Sequence, residues 1–261
     1  SYYRTVSRPE FRELAPFIFY DFVTDFAISG NSDLKRALVD NYDLRFEYFP
    51  GAGQLISVSG FYKEFTNAIE QANRPDVLRE LYYVNVPKAT NIGLELEYRF
   101  KLSSLFGNDS SAFLSGTTLY TNFSYIKSKV NTSEINGATS AERPLQGQSP
   151  VIVNAGIQYA HPSNGWSTSI SYNLVGKRIY VVGSVNEPDY WENPRNVIDI
   201  QLVKRIKENL EIKFNVRDVL AQNLIFYQDI DKNGKYDDIK DNTMINTSFG
   251  QTVSLGINYK F

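Results

Sequence analysis

Thr247-Ser248-Phe249-Gly250-Gln251-Thr252-Val253-Ser254-Leu255-Gly256-Ile257-Asn258-Tyr259-Lys260-Phe261 is the stretch that decides the fold. Every second residue, from Phe249 through Val253, Leu255, Ile257 and Tyr259 to Phe261, is apolar or aromatic, with Gln251 the exception. The residues between them, Ser248, Gly250, Thr252, Ser254, Gly256, Asn258 and Lys260, are small or polar. Successive side chains of a strand point to opposite faces, so this period of two describes a strand with one greasy face and one wet face.

The same rhythm recurs upstream. Leu210, Ile212, Phe214 and Val216 alternate with Glu211, Lys213, Asn215 and Arg217. Ile198, Ile200 and Leu202 alternate with Asp199, Gln201 and Val203, and Trp166 to Leu174 with Ser167, Ser169, Ser171 and Asn173. Val151 to Tyr159 and Leu119 to Tyr125 repeat it. The cleanest case is Ile92, Leu94, Leu96, Tyr98 and Phe100 against Gly93, Glu95, Glu97, Arg99 and Lys101. Tyr42, Leu44, Phe46 and Tyr48 face away from Asp43, Arg45 and Glu47. The pattern is blurred over 55–63 and weak over 2–7. The sum is about ten strands, most of them near the roughly 9–11 residues that a tilted transmembrane strand needs.

Connection lengths alternate. Turn-forming residues make four short links, at Pro50-Gly51-Ala52-Gly53, Phe106-Gly107-Asn108-Asp109, His161 to Gly165 and Lys207-Glu208-Asn209. Long links are expected over 8–38, 67–86, 131–148, 183–195 and 228–246. Short turns on one rim and long loops on the other describe an antiparallel transmembrane β-barrel, all-β, with periplasmic turns and extracellular loops. In lipid every backbone N–H and C=O must pair within the protein, so a sheet there has to close. Tyr48, Phe100, Tyr159, Trp166, Tyr259 and Phe261 are placed as interfacial girdle residues. A soluble antiparallel sandwich also alternates. Strand length and the short–long rhythm favour the barrel.

Composition agrees. The 261 residues carry 27 Lys+Arg against 29 Asp+Glu, for a net charge of -2. That balance argues against a nucleic-acid partner. No apolar run approaches the roughly 18 residues of a spanning helix. With no Cys and one His, disulfides, thiolate metal sites and cysteine catalysis are excluded. Ser1 to Pro9 shows neither the positive nor the apolar region of a signal peptide. The expectation is a trimmed N-terminus or the C-terminal part of something longer.

Several runs resemble the TonB-dependent outer-membrane receptors, particularly of the Bacteroidota type. They include Ser7-Arg8-Pro9-Glu10-Phe11-Arg12-Glu13-Leu14-Ala15-Pro16-Phe17, Gly30-Asn31-Ser32-Asp33-Leu34, and Asp40-Asn41-Tyr42-Asp43-Leu44-Arg45-Phe46-Glu47-Tyr48-Phe49. Gly60 to Phe65, Asn91 to Glu97 and Asn215 to Leu220 are similar too, and Phe261 fits the terminal aromatic assembly signal of such barrels. The resemblance covers essentially the whole chain. It implies a barrel of about 22 strands around an N-terminal plug, of which residues 1–261 are the C-terminal part, with the plug, the TonB box and the first strands absent. It further implies uptake of a nutrient such as a siderophore, glycan or peptide. The implied partners are the lipid bilayer, the TonB–ExbB–ExbD complex through the missing N-terminal region, and a surface lid lipoprotein. The alternatives are a self-contained ten-stranded barrel, adhesin or enzyme, and a soluble β-sandwich binding module.

Three local features bear on chemistry. Asp229-Ile230-Asp231-Lys232-Asn233-Gly234 fits the opening of a calcium loop. Asp229, Asp231 and Asn233 supply oxygens, and Asp237 falls at position nine, but Lys240 replaces the usual Glu at position twelve. Calcium is therefore the one candidate cofactor, and a solvated hairpin tip is the plain alternative. His161 lies in a short turn, opposite the long loops, where neither a protease dyad nor a phospholipase triad would need it. No catalytic residue is assigned, and no enzyme is expected. Charges such as Asp43, Arg45, Glu47, Glu95, Glu97 and Arg99 read as the lining of a hydrated lumen. Tyr82, Tyr83, Tyr190 and Trp191, in the long links, and Tyr180, just before the fourth of them, are candidate ligand-gripping aromatics. Loop packing is the competing reading.

Overall fold

The computed structural model describes residues 1–75, 77, 79–107, 111–132, 142–184 and 187–261. In chain order it holds β1 (Tyr2–Ser7), α1 (Phe11–Leu14), β2 (Ile18–Asp21), β3 (Phe26–Ser29), β4 (Ala37–Tyr48), β5 (Leu55–Asn73) and β6 (Glu80–Lys101). There follow α2 (Leu102–Phe106), α3 (Ala112–Gly116), β7 (Thr117–Asn131), β8 (Glu142–Arg143), β9 (Val151–Ala160), β10 (Trp166–Val175) and β11 (Arg178–Val181). The last are β12 (Tyr190–Glu192), β13 (Arg195–Ile206), β14 (Leu210–Arg217), β15 (Leu224–Gln228), β16 (Asn242–Thr247) and β17 (Thr252–Tyr259). Among the described residues no helix is long and apolar enough to cross a membrane.

The main sheet runs β1-β4-β5-β6-β7-β9-β10-β13-β14-β17, ten strands, each antiparallel to the next. It is open between β1 and β17. Its register sorts the two solvents. Phe100, Leu119, Ile157, Ile170, Ile200, Val216 and Val253 lie side by side across seven strands. The same ladders align Lys101, Thr118, Gln158, Ser169, Gln201, Asn215 and Ser254 on the other face. The apolar row starts near the lower end of β6 and ends near the upper end of β17, which is the tilt of strands in a barrel. Leu255 is 67% exposed, Ile257 65% and Phe214 38%. Among the described residues no second protein layer covers this face. Fully burying one Leu, Ile or Phe side chain is worth about 1.5–3 kcal/mol, so a belt of this size needs hydrocarbon against it.

The wet face is cross-linked by side chains. Arg45 donates to Glu47 (2.6 Å) and Glu97 (2.9 Å), Gln201 to Asn215 (2.7 Å), and Asn173 to Asn154 (2.7 Å). Two glycines on this face are required by close approach. A Cβ at Gly93 would overlap the Phe61 ring and one at Gly156 the Tyr120 ring, each ring lying flat over its cross-strand partner.

At the short-link end Trp166, Tyr259 and Phe261 sit exposed at the belt's edge, as expected of girdle residues. At the far end a second girdle lies on neighbouring strands. The Tyr2 and Tyr42 rings are 5.0 Å apart and those of Tyr42 and Tyr62 6.1 Å. The sequence reading had not singled out this row. The expected turn at Phe106 is instead a connection built from α2 and α3, in which Asn108 and Asp109 lie outside the described residues.

The expected loop over 67–86 is corrected by the structure. β5 and β6 continue pairing from Ala68–Val86 up to Asn73–Leu81, with only Asn67 and Pro87 left out of the ladder. Asn67 adopts φ 57°, and Pro87 has no N–H to give. Burial then switches sides, from Ser57 and Ser59 below to Ala68, Glu70 and Ala72 above. A single irregular pair reverses which face is buried and lets the hairpin project well past the belt. Within that span Asp76 and Leu78 are outside the described residues, as are 133–141 and 185–186 of two other long links.

The long link before β4 is also structured. β2 and β3 form a hairpin, and β3 pairs in parallel with the top of β6, on the edge that β7 leaves free. Beyond the main sheet, β11-β12-β15-β16 form a four-stranded sheet. It continues β10, β13, β14 and β17 past the belt and touches β5, where Asn73 donates to the Val182 carbonyl (2.9 Å). The buried apolar clusters lie here. Phe26, Leu81, Val181 and Tyr190 form one, Ala72, Ile179 and Val182 another, and Ala68, Val86, Ala89 and Val130 a third. The molecule is thus a lipid-facing wall with a water-soluble cap packed on its long-loop end.

Candidate functional site

A cavity of about 910 Å³ lies at the cap end. β7 supplies Tyr125 to Ser128 to its wall, and the segment from Arg143 to Pro150 supplies Arg143, Pro144, Gln148 and Pro150. The cap adds Lys177, Asp189, Trp191 and Asp229. It opens where the wall loses continuity, because β9 pairs with β7 only as far as Tyr125–Val151.

Its charged groups are largely spoken for. Lys177 Nζ lies 2.7 Å from Asp229 Oδ2, 4.5 Å from the centre of the Trp191 ring and 5.2 Å from that of Tyr227. Burial pushes the Asp229 carboxyl up, but the Lys177 ammonium and the N–H groups of Gly234 and Asn233 outweigh it and hold it below the usual range. Arg143 is committed to Glu70. Asp189 differs. Burial raises its carboxyl, and the Gly183 N–H (2.7 Å) and the more distant charge of Arg143 offset this only in part. It is a cavity-lining acceptor with no cation bonded to it among the described residues.

The structure separates the five candidate aromatics. Trp191 lines the cavity. Tyr190 is buried against Phe26, ring centres 5.8 Å apart, and burial pushes its hydroxyl up to about 12. Tyr180 stacks on Phe226 at 4.0 Å. Tyr82 packs against the Ala72 cluster under Arg74, and Tyr83 accepts a hydrogen bond from Gln71 (3.3 Å). Four of the five therefore pack the cap.

Of the four candidate ligands in the acidic loop, Asp229 and Asp231 gather with Asp241, and Asn233 and Asp237 turn their oxygens to backbone N–H groups. Carboxylate oxygens of Asp229, Asp231 and Asp241 lie within 4.8 Å of one another. Asp237 instead accepts from the Ile239 and Lys240 N–H groups (3.0 and 3.3 Å). Asn233 turns its side-chain oxygen to the Lys235 N–H (2.7 Å). Asp241 accepts from Ile230 N–H and Asp237 N–H. Lys177 already supplies a cation to Asp229. At the opposite end His161 Nδ1 accepts from the Ser163 and Asn164 N–H groups, both at 3.2 Å, which fixes the turn.

Sequence reasoning missed Tyr125, Arg143, Lys177 and Asp189. Lys177 and Asp229 are 52 residues apart and Glu70 and Arg143 are 73 apart, and neither pair has a local signature.

A family model described as "TonB dependent receptor-like, beta-barrel" matches residues 1–224. The chain belongs to the TonB-dependent receptor β-barrel family. It is accordingly an outer-membrane β-barrel chain. A mutant of the ferric enterobactin receptor of Pseudomonas aeruginosa, in complex with enterobactin, is 16% identical with a TM-score of 0.61, covering 100% of this chain and 38% of that one. The copper transporter OprC gives 15% and 0.64, covering 100% and 36%. The outer-membrane transporter YddB of Escherichia coli gives 16% and 0.56, covering 90% and 34%. This chain thus spans well under half the length of these receptors, and at such identities they show the fold alone. No curated protein matches the chain. The family and the matched structures are receptors and transporters, not enzymes.

Proposed function

We propose that this chain is the C-terminal part of the wall of a TonB-dependent transporter and has no catalytic role. The observation that carries the reading is the sorting of one ten-stranded sheet into an apolar outer row and a polar inner row. The outer row meets acyl chains, and the inner row encloses water and a plug. The cap and its 910 Å³ cavity receive a nutrient such as a siderophore, glycan or peptide, with Trp191 as the aromatic contact. Energy comes from a TonB–ExbB–ExbD complex acting on a region outside this chain, and a surface lipoprotein lid is a further partner of this reading.

Detergent dependence tests it. The receptor should stay monodisperse in detergent, insert into vesicles, and aggregate when detergent is withdrawn. A monodisperse protein without detergent would instead establish a soluble β-sandwich.

A further inference from the structure

Residues 143–150 lie between two parts of the molecule. Arg143, Pro144, Gln148 and Pro150 line the cap cavity. The same segment is bonded to the inner faces of β5 and β6. Glu70, on β5, is 1% exposed and accepts from Arg143 Nη1 (3.0 Å), Arg143 Nη2 (2.6 Å) and the Gln146 N–H (2.7 Å). Gln146 Oε1 accepts from the Gln71 N–H (2.6 Å), and its Nε2 donates to the Tyr180 carbonyl (2.5 Å). The Gly147 N–H reaches the Ile179 carbonyl (2.9 Å), and Asn91 Nδ2 donates to Gln148 Oε1 (2.9 Å). One short stretch thus joins β5, β6 and β11.

The chemistry of the attachment is unlike that of the wall. Wall strands are held by continuous backbone ladders. Residues 144–149 are held mainly by side-chain bonds focused on Glu70 and Gln146, with Leu145 as the apolar anchor on the Ala68–Val86–Val130 cluster, while backbone pairing is short: Arg143 ends the β8–β7 ladder and the Pro150 carbonyl accepts from the Ile126 N–H (2.9 Å). Pro144 and Pro150 bracket the segment, and Gly147 takes φ 75°, so it cannot zip into the sheet as another strand. Such a segment leaves as a unit when its polar bonds go to water, and the ladder it gives up is no longer than the two-residue pairing of β8 with β7 at Val130–Arg143 and Asn131–Glu142.

We propose that residues 143–150 are a releasable strap, latched by Glu70–Arg143 and Gln146, that closes the cap cavity off from the barrel interior and ties β11 to the wall. This rests on the transporter reading: ligand leaving the cavity for the lumen displaces the strap. Removing one partner of a buried ion pair leaves the other charge uncompensated, so the latch is the point at which release is set.

The chain has no cysteine, so a labelling test on the full receptor needs only that any cysteine outside these residues be replaced. Ser149 is 2% exposed at the end of the strap, and Ser57 is 1% exposed on β5, well below it. Ser149→Cys should react slowly with a water-soluble maleimide. Adding Glu70→Gln should speed the reaction by about tenfold or more, and adding Gln146→Ala, which removes no charge, should also accelerate it. Ser57→Cys should stay slow in both backgrounds, and the barrel should keep its folded migration on unheated gels. The strap is refuted if Ser149→Cys labelling is unchanged in both backgrounds, or if Ser57→Cys accelerates in parallel, which would mean general loosening. Uptake is not measured, so failure here leaves the transporter reading to the detergent test.

Discussion

A charge placed on the outer face should destabilise the barrel far more than the same charge one residue along. Ile170 lies in the outer apolar row, 39% exposed, between Ile157 and Ile200. It is four residues from the girdle residue Trp166. At about 3.3 Å per residue that is roughly 13 Å along the strand, and a tilt of about 45° makes it some 9 Å of depth. The apolar band of an outer-membrane barrel is about 25 Å tall, so Ile170 sits near its middle. There Ile170→Arg should cost about 2–4 kcal/mol. Ser171, the next residue, faces inward opposite Asp199 and Gly156. Ser171→Arg gains a carboxylate neighbour in a wet lumen and should change stability by less than about 1 kcal/mol. The difference, at least about 1 kcal/mol, is a factor of about five or more in the folding equilibrium. Denaturant titration of the receptor in vesicles, followed by tryptophan fluorescence, measures both variants. Equal costs for the two, within about 0.5 kcal/mol, would mean that the outer face does not meet hydrocarbon, and the membrane assignment would fail.

Further expectations follow from single contacts. Gly156→Val should cost about 1–3 kcal/mol through overlap with the Tyr120 ring, and Tyr120→Ala in the same chain should recover part of it in the same titration. Asp189 is raised in the folded state, so the stability it confers is full below the ordinary aspartate range and is lost as pH rises through its raised pKa. Folding stability measured by denaturant titration should therefore fall as pH rises and the buried Asp189 carboxyl ionises, and Asp189→Asn should flatten that dependence. Asp229 is lowered, so its contribution is present above the ordinary range and fades as pH falls through its depressed pKa. The Gly234 N–H, bonded to Asp229 at 2.9 Å, should lose protection on acidification. Lys177→Gln should make the Asp229–Asp231–Asp241 group respond to calcium in a calorimetric titration more strongly than the unaltered protein, and an equal or weaker response would show that Lys177 does not compete for the site.

What could be read from the sequence was whatever a strand encodes locally. A period of two is written into segments such as Ile92–Phe100 and Val253–Phe261, so most of the path strands and their two faces were legible, with β1 and β5, where the alternation is weak or blurred, the least so. The 67–86 hairpin was not, because Asn67 and Pro87 look like loop punctuation. In the structure they interrupt one pair and reverse the buried face. The cap was not legible for a different reason. Its strands are short, and its contacts join residues far apart in the chain, as Phe26 meets Tyr190 and Ala72 meets Val182. The candidate aromatics were therefore found, but Tyr190 and Trp191, adjacent in sequence, point to opposite fates, one into the cap core and one onto the cavity.

The division between wall and cap has a physical basis. In lipid the cost of an unpaired backbone group forbids local opening of the wall. Its strands need no apolar interior, because their outer side chains meet acyl chains. Above the belt the solvent is water on all sides, and the hydrophobic effect again rewards a core. That is where Phe26, Leu81, Val181 and Tyr190 gather. Motion must then be confined to the cap end, and there to elements attached by few bonds. Residues 143–150 meet that condition better than β11 or β12. Those strands bury Ile179, Val181 and Tyr190 and would expose them on leaving, whereas the strap exchanges mainly polar bonds and one leucine contact with water. A ligand-driven step in this portion of the receptor is therefore least costly at the Glu70–Arg143 attachment, with the wall and the cap core both unchanged around it.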